Sequence, residues 1–171
     1  MSRQRHFTGV MLALYCLLLL WVILLKGSFS LSQLPWFALE RKVNFVPFYH
    51  PYSMRWLELR EIILNFLLFA PFGFYLRMLD VSPKKAIILG FAFSLALELF
   101  QLGFAVGACD ITDLLTNTLG TVAGVFLYAL AEKIIPNRKT LHRTVNILTA
   151  VALGNLVLLS IPLWLANRAF V

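Results

Sequence analysis

Apolar residues in this chain come in long unbroken runs rather than in alternation, "LLLLWVILL" and "AIILGFAFSLAL" being the plainest. Crossing a bilayer takes roughly 17 to 25 residues of helix, and five stretches qualify: 8–25, 62–79, 86–106, 111–131 and 144–166. A membrane barrel instead needs strands of about ten residues with alternating polarity, and no such alternation is present. Lipid offers the backbone no other partners. The pattern therefore predicts an all-α, polytopic membrane protein of about five transmembrane helices, one domain over 1–171 with no room for a separate soluble part.

The segment 27–61 breaks the rhythm, because it mixes Trp36, Phe37, Phe45, Phe48, Tyr49, Tyr52 and Trp56 with charged residues. Aromatics of this kind favour the membrane interface. From Tyr52 the apolar positions Tyr52, Trp56, Leu59 and Ile63 follow helical spacing, while Arg55, Glu58, Arg60 and Glu61 fall off that stripe. An interfacial loop and helix lying on the outer leaflet and running into the second span is the expectation.

Composition agrees: 60% hydrophobic and 13% charged residues stand against about 25% charged in soluble proteins. The net charge of +7 reads as helix orientation and anionic lipid rather than nucleic acid. With the N-terminus in the cytoplasm, nine basic residues are inner (Arg3, Arg5, Arg77, Lys84, Lys85, Lys133, Arg138, Lys139, Arg143) and six outer, five of those six within 26–61. The first run follows Arg3 and Arg5 but is longer than the roughly 7 to 15 residues of a signal-peptide core, so a retained helix is expected. Cys16 lies mid-span, preceded by the bulky Tyr15, and Cys109 lies beyond a helix end. The bulky neighbour argues against a lipid anchor at Cys16, and the separation argues against a disulfide.

The polar residues inside the spans converge. Ser94, Glu98 and Gln101 share one helical face, as do Asp113, Asn117, Gly120 and Gly124 on the next span, with Asp110 at its entrance and Asn65 near the start of the second. Under the N-in topology all of them fall in the outer half of the membrane. Plain structural roles are available to most: Asp110 as a helix cap with Asp113 in the first turn, Gly120 and Gly124 as a small-xxx-small contact, Pro71 and Gly73 as a kink and a close approach. Glu98 is harder to assign to packing, since an ionisable group at mid-span costs about 2.5 to 3.5 kcal/mol on insertion scales and needs a partner. Gln101, Asn65 and Arg60 are the candidates. His50 has no companion at ligand spacing, and no metal site is expected.

These residues resemble the VanZ-like family. The likeness lies in "NFVPF" at 44–48, "NFLLFAPFG" at 65–73, the pair Glu98 and Gln101, and "GACDITDLLTNTLGTVAG" at 107–124, a family-like core of about 44–130. The five-helix layout and the "ITDLLTNTLG" wording look like the teicoplanin-resistance member of glycopeptide-resistance cassettes. Carried over by position, the resemblance implies roles for Asn44, Pro47, Asn65, Pro71, Gly73, Glu98, Gln101, Asp110, Asp113, Asn117, Gly120 and Gly124. Two departures stand out: relatives often carry an arginine where this chain has Gly107 and Ala108, and a second glycine where it has Thr121.

The resemblance implies a multi-pass protein of the bacterial cytoplasmic membrane associated with low-level teicoplanin resistance. Its expected partners are membrane lipids and a lipid-linked cell-wall precursor or lipoglycopeptide, with no cofactor. Two chemistries are open to the polar cluster. In the first, a non-enzymatic factor uses Asn44, Asn65, Glu98, Gln101, Asp110, Asp113 and Asn117 as an outer pocket that binds or occludes its ligand. In the alternative, Glu98, Asp110 and Asp113 are catalytic on a phosphorylated polyprenyl or other envelope lipid, the one reading in which Mg²⁺ would enter, as oxygen ligands suit it. Transport is disfavoured, because the stretches 86–93 and 122–130 are nearly all apolar.

Overall fold

The computed structural model describes residues 3–24, 42–48, 55–104 and 108–169. Much of the expected interfacial segment, with Trp36, Phe37, Tyr49, His50 and Tyr52, lies outside the described residues. The order is α1 (Arg3–Leu24), β1 (Lys42–Asn44), α2 (Arg55–Met78), α3 (Pro83–Phe104), β2 (Ala108–Asp110), α4 (Ile111–Ile134) and α5 (Arg138–Ala169). All five helices are long and apolar enough to cross a membrane. Each apolar run thus became a helix, and polar flanks extend several of them. Helix α2 begins seven residues before the apolar run starting at 62, where charges alternate with Trp56 and Leu59. Helix α5 begins at Arg138 because the Asn137 side chain accepts the backbone N–H groups of Lys139 (3.0 Å) and Thr140 (3.3 Å), satisfying two donors a helix start leaves open.

Helices α2 and α4 form the tightest pair. A Cβ at Gly73 would overlap the carbonyl of Thr121, one at Gly120 the carbonyl of Phe66, and one at Gly124 the carbonyl of Ala70. Backbone therefore meets backbone along this seam, the contact that small residues permit between helices in lipid. Pro71 lies inside α2 without ending it. Thr121 also lies directly against Gly90 of α3, so this residue sits at a three-helix junction. Helix α1 is held to α2 by the Tyr15 hydroxyl, which donates to the Leu68 carbonyl at 2.7 Å. Leu19, Phe69, Phe72 and Leu97 fill the centre with Tyr15. Helix α5 is the least buried span, at 11%.

The bundle has two distinct ends. At one, Gln4 of α1 bonds the Lys139 carbonyl of α5, Arg5 bonds the Leu79 carbonyl after α2, and Arg138 pairs with Asp80 and Glu132. At the other, Gln101 of α3 reaches the Ile23 carbonyl of α1. There, too, β1 and β2 pair in parallel, Lys42 opposite Ala108 and Asn44 opposite Asp110. This ladder is an addition to the all-helical expectation. It carries the stretch after Lys42 to the start of α4.

Candidate functional site

Asp110 organises the second end. It is the last residue of β2 and the cap of α4, extended at φ −124° and ψ 125°, with its Oδ1 accepting the Thr112 N–H at 2.7 Å. Its own backbone N–H donates to Glu98 Oε2 at 2.8 Å. Its Oδ2 accepts from Asn44 Nδ2 at 3.1 Å. One aspartate thus links α3, β1 and α4, while buried to 4% exposure beside Glu98 at 2%. The partners of Glu98 are the Asp110 backbone amide and the Cys109 side chain, not Gln101, Asn65 or Arg60. A carboxylate oxygen facing a peptide N–H makes a charge-assisted bond, stronger than a neutral one.

Asp113 sits in the first turn of α4 and accepts from Asn65 Nδ2 of α2 at 2.7 Å. Asn117 lies one turn deeper, donating to the Ser94 hydroxyl at 2.9 Å, with Thr121 Oγ1 bonded to its carbonyl at 3.2 Å. Gln101 is turned away from the acids toward α1. The sequence-derived residues therefore separate into an acid knot (Asn44, Asn65, Glu98, Asp110, Asp113), a deeper amide step (Asn117 with Ser94) and a lateral tie (Gln101). Gly73, Gly120 and Gly124 belong to the α2–α4 contact, and Pro71 lies within α2.

The knot holds a particular turn. Asn44 Oδ1 accepts the Val46 N–H at 3.0 Å, a local side-chain bond of the kind that sets a turn. The Phe48 N–H donates to Thr112 Oγ1 at 3.0 Å. Pro47 lies between these two anchors. Phe45, Val46 and Phe48 are left 76%, 55% and 58% exposed, so a fixed apolar turn projects beside a buried polar core. Phe48 has φ 58°, a conformation that is an outlier for a bulky residue and costs about 1 to 3 kcal/mol. Thr112 is a site residue the composition-based reading missed. Its hydroxyl, in "DITD", sits two positions past the cap, and that placement is the signal that marks it.

Cys109 precedes Asp110 in β2 and shares a side-chain hydrogen bond with Glu98. Burial, then the neighbouring Glu98, pushes its thiol above the ordinary range. Among the described residues no group of three or more His, Cys, Asp or Glu side chains is arranged to hold a metal.

A family model described as VanZ/LLP1 matches residues 12–132. The protein named VanZ from Enterococcus faecium is 36% identical over 139 residues, covering 79% of this chain and 81% of that protein. No solved structure matches.

Proposed function

The chain belongs to the VanZ/LLP1 family, and from that premise we propose that it is a membrane factor giving low-level resistance to teicoplanin and related lipoglycopeptides. It acts without catalysing a reaction, by binding or occluding a lipid-linked envelope component or the antibiotic itself. The observation that carries this reading is the moored turn at 44–48. Phe45, Val46 and Phe48 offer exposed apolar surface to an acyl tail, while the bonds of Asn44, Asp110 and Thr112 hold the turn in place. Preorganisation of this sort lowers the ordering cost of binding. The half-buried Asn65 and Asp113 beside it give a polar contact for a headgroup or sugar.

On this reading the N-terminus is cytoplasmic and the acid knot faces outward. The distribution of cations supports that orientation: Arg5, Arg77, Lys84, Lys133, Lys139 and Arg143 all flank the end where α1 and α5 begin, and basic residues favour the cytoplasmic side. The alternative, an enzyme using Glu98, Asp110 and Asp113 with Mg²⁺, draws less support, because those carboxylates already accept from fixed N–H donors.

Expression in a teicoplanin-sensitive Gram-positive host tests the proposal. Wild type is expected to raise the inhibitory concentration of teicoplanin and to lower surface binding of the labelled drug, and a Phe45→Ser/Phe48→Ser double variant to lose both effects at unchanged expression. No change in susceptibility on expressing wild type sinks the reading. Release of phosphate or acyl product from polyprenyl-linked substrate by purified protein would favour the enzyme instead.

A further inference from the structure

Away from the acid knot, a seam starts at the opposite end of the bundle and runs along two helices. Helices α1 and α5 face each other along one seam, where Gln4, Phe7, Met11, Leu14, Leu18 and Trp21 follow helical spacing on α1. Two cavities open along it. The upper, about 350 Å³, is lined by Gln4, Phe7, Lys139, Arg143, Asn146 and Ile147. The lower, about 710 Å³, is walled by apolar side chains from Met11 to Trp21 and from Ala150 to Leu158, with Gly154 among them.

Charge and length identify an occupant. Lys139 and Arg143 line the upper cavity, and no acidic residue does. Asn146 is 1% exposed, and its Nδ2 donates to Thr8 Oγ1 at 2.9 Å, while its Oδ1 has no hydrogen-bond partner among the described residues. The cavity thus combines two cations with an unfilled buried acceptor. Below it the wall is greasy, and a Cβ at Gly154 would meet nothing within 4 Å, so the groove is open there. From Gln4 to Trp21 the helix rises about 26 Å, enough for one leaflet from headgroup to midplane, roughly 20 to 22 Å.

We infer that the α1–α5 seam is a binding site for one anionic glycerophospholipid whose headgroup carries a hydroxyl. Its phosphate sits against Lys139 and Arg143, its hydroxyl supplies the donor that Asn146 Oδ1 lacks, and one acyl chain lies in the groove past Gly154. General lipid contact would coat the same face without selecting a headgroup. The two cations and the buried acceptor are what distinguish this seam from the rest of the lipid-facing surface. The inference stands apart from the proposed resistance role, since it involves neither the knot nor the 44–48 turn.

Native mass spectrometry of the full chain in maltoside micelles tests it, with phosphatidylglycerol, phosphatidylmethanol and phosphatidylcholine of matched acyl chains as probes. One phosphatidylglycerol should be retained most tightly, phosphatidylmethanol less, and phosphatidylcholine least. Lys139→Gln/Arg143→Gln, at two exposed positions, should weaken phosphatidylglycerol binding about 30-fold, as expected for losing two basic side chains at an anionic headgroup. Gly154→Leu, which fills the groove, should lose the lipid while the lipid-free chain melts no lower than wild type, since removing a glycine favours a helix. Equal retention of phosphatidylglycerol and phosphatidylcholine would mean unselective lipid contact only and overturn the site. Equal retention of phosphatidylglycerol and phosphatidylmethanol would remove the hydroxyl from the assignment. Glycerol phosphate binding as tightly as whole lipid would overturn the groove.

Discussion

The two ends of the bundle are tied by opposite means. At the basic end, charged side chains meet near the surface: Arg138 bonds Asp80 at 3.2 Å, with the two side chains 58% and 55% exposed, and Glu132 at 2.7 Å, itself 23% exposed. At the acid knot, the bonds of Glu98 and of the Asp110 cap are buried and those of Asn44 and Asn65 partly so, and the acids accept from backbone and amide N–H groups. Exposed pairs contribute about 0 to 1 kcal/mol, whereas an orphaned buried partner costs about 1 to 3 kcal/mol. The contrast shows where a membrane protein places acids it needs: not opposite cations, but over the open amides at the start of a helix. An acid cluster in such a sequence is therefore weak evidence of a cationic ligand until its N–H donors are known.

The largest effect should come from removing the acid at the centre of the knot. Glu98→Ala leaves the Asp110 N–H without its acceptor and should destabilise the protein by about 2 to 3 kcal/mol in mixed-micelle unfolding. Glu98→Gln keeps an acceptor oxygen and should lose much less. If the alanine variant is as stable as wild type, the knot is not what holds this end.

A smaller loss is expected at Asn65→Ala, which strips Asp113 Oδ1 of one donor while leaving the acid only half-buried. The expected cost is about 1 kcal/mol, read by the same unfolding measurement. Arg138→Ala at the basic end, which removes its pairs with Asp80 and Glu132, should change stability by less than about 1 kcal/mol, and high salt should reduce that. A loss at Arg138 matching that at Glu98 would dissolve the comparison.

The mildest probe leaves the fold alone. Because the Cys109 thiol is pushed up by burial and by Glu98, and the thiolate is the reactive form, maleimide labelling should be slow near neutral pH. It should rise about tenfold per pH unit, without levelling off in the ordinary thiol range. Glu98→Gln, which removes the neighbouring carboxylate, should speed it. With an impermeant reagent on intact cells, labelling at raised pH would put the knot outside, and labelling only after permeabilisation would reverse the orientation.

The spans were legible because unbroken apolar runs leave the backbone one solution in lipid, as "AIILGFAFSLAL" in α3 illustrates. The gathering of Glu98, Asp110, Asp113 and Asn65 was legible too, from helical spacing and a hairpin. What hid was the pairing. Strands of three residues, Lys42–Asn44 and Ala108–Asp110, carry no alternation to read, and their register links positions far apart in the chain. Side-chain spacing could not show that one Glu98 partner is a backbone amide, because every residue offers one. Gln101 shared the face of Glu98 by periodicity, yet it bonds Ile23 of α1, a helix the sequence offered no polar reason to bring near.

The parallel ladder also constrains how the protein is made. Asn44 and Asp110 are 66 positions apart, and α2 and α3 lie between them in the chain. When residue 44 leaves the ribosome, its partner has not been synthesised, so the "NFVPF" turn must wait, unmoored, while two further helices enter the bilayer. Chain elongation at about 5 to 20 residues per second makes that interval several seconds long. Throughout it the apolar turn has no fixed geometry, and the arrival of β2 and Thr112 is the event that sets the shape in which Phe45, Val46 and Phe48 are finally displayed.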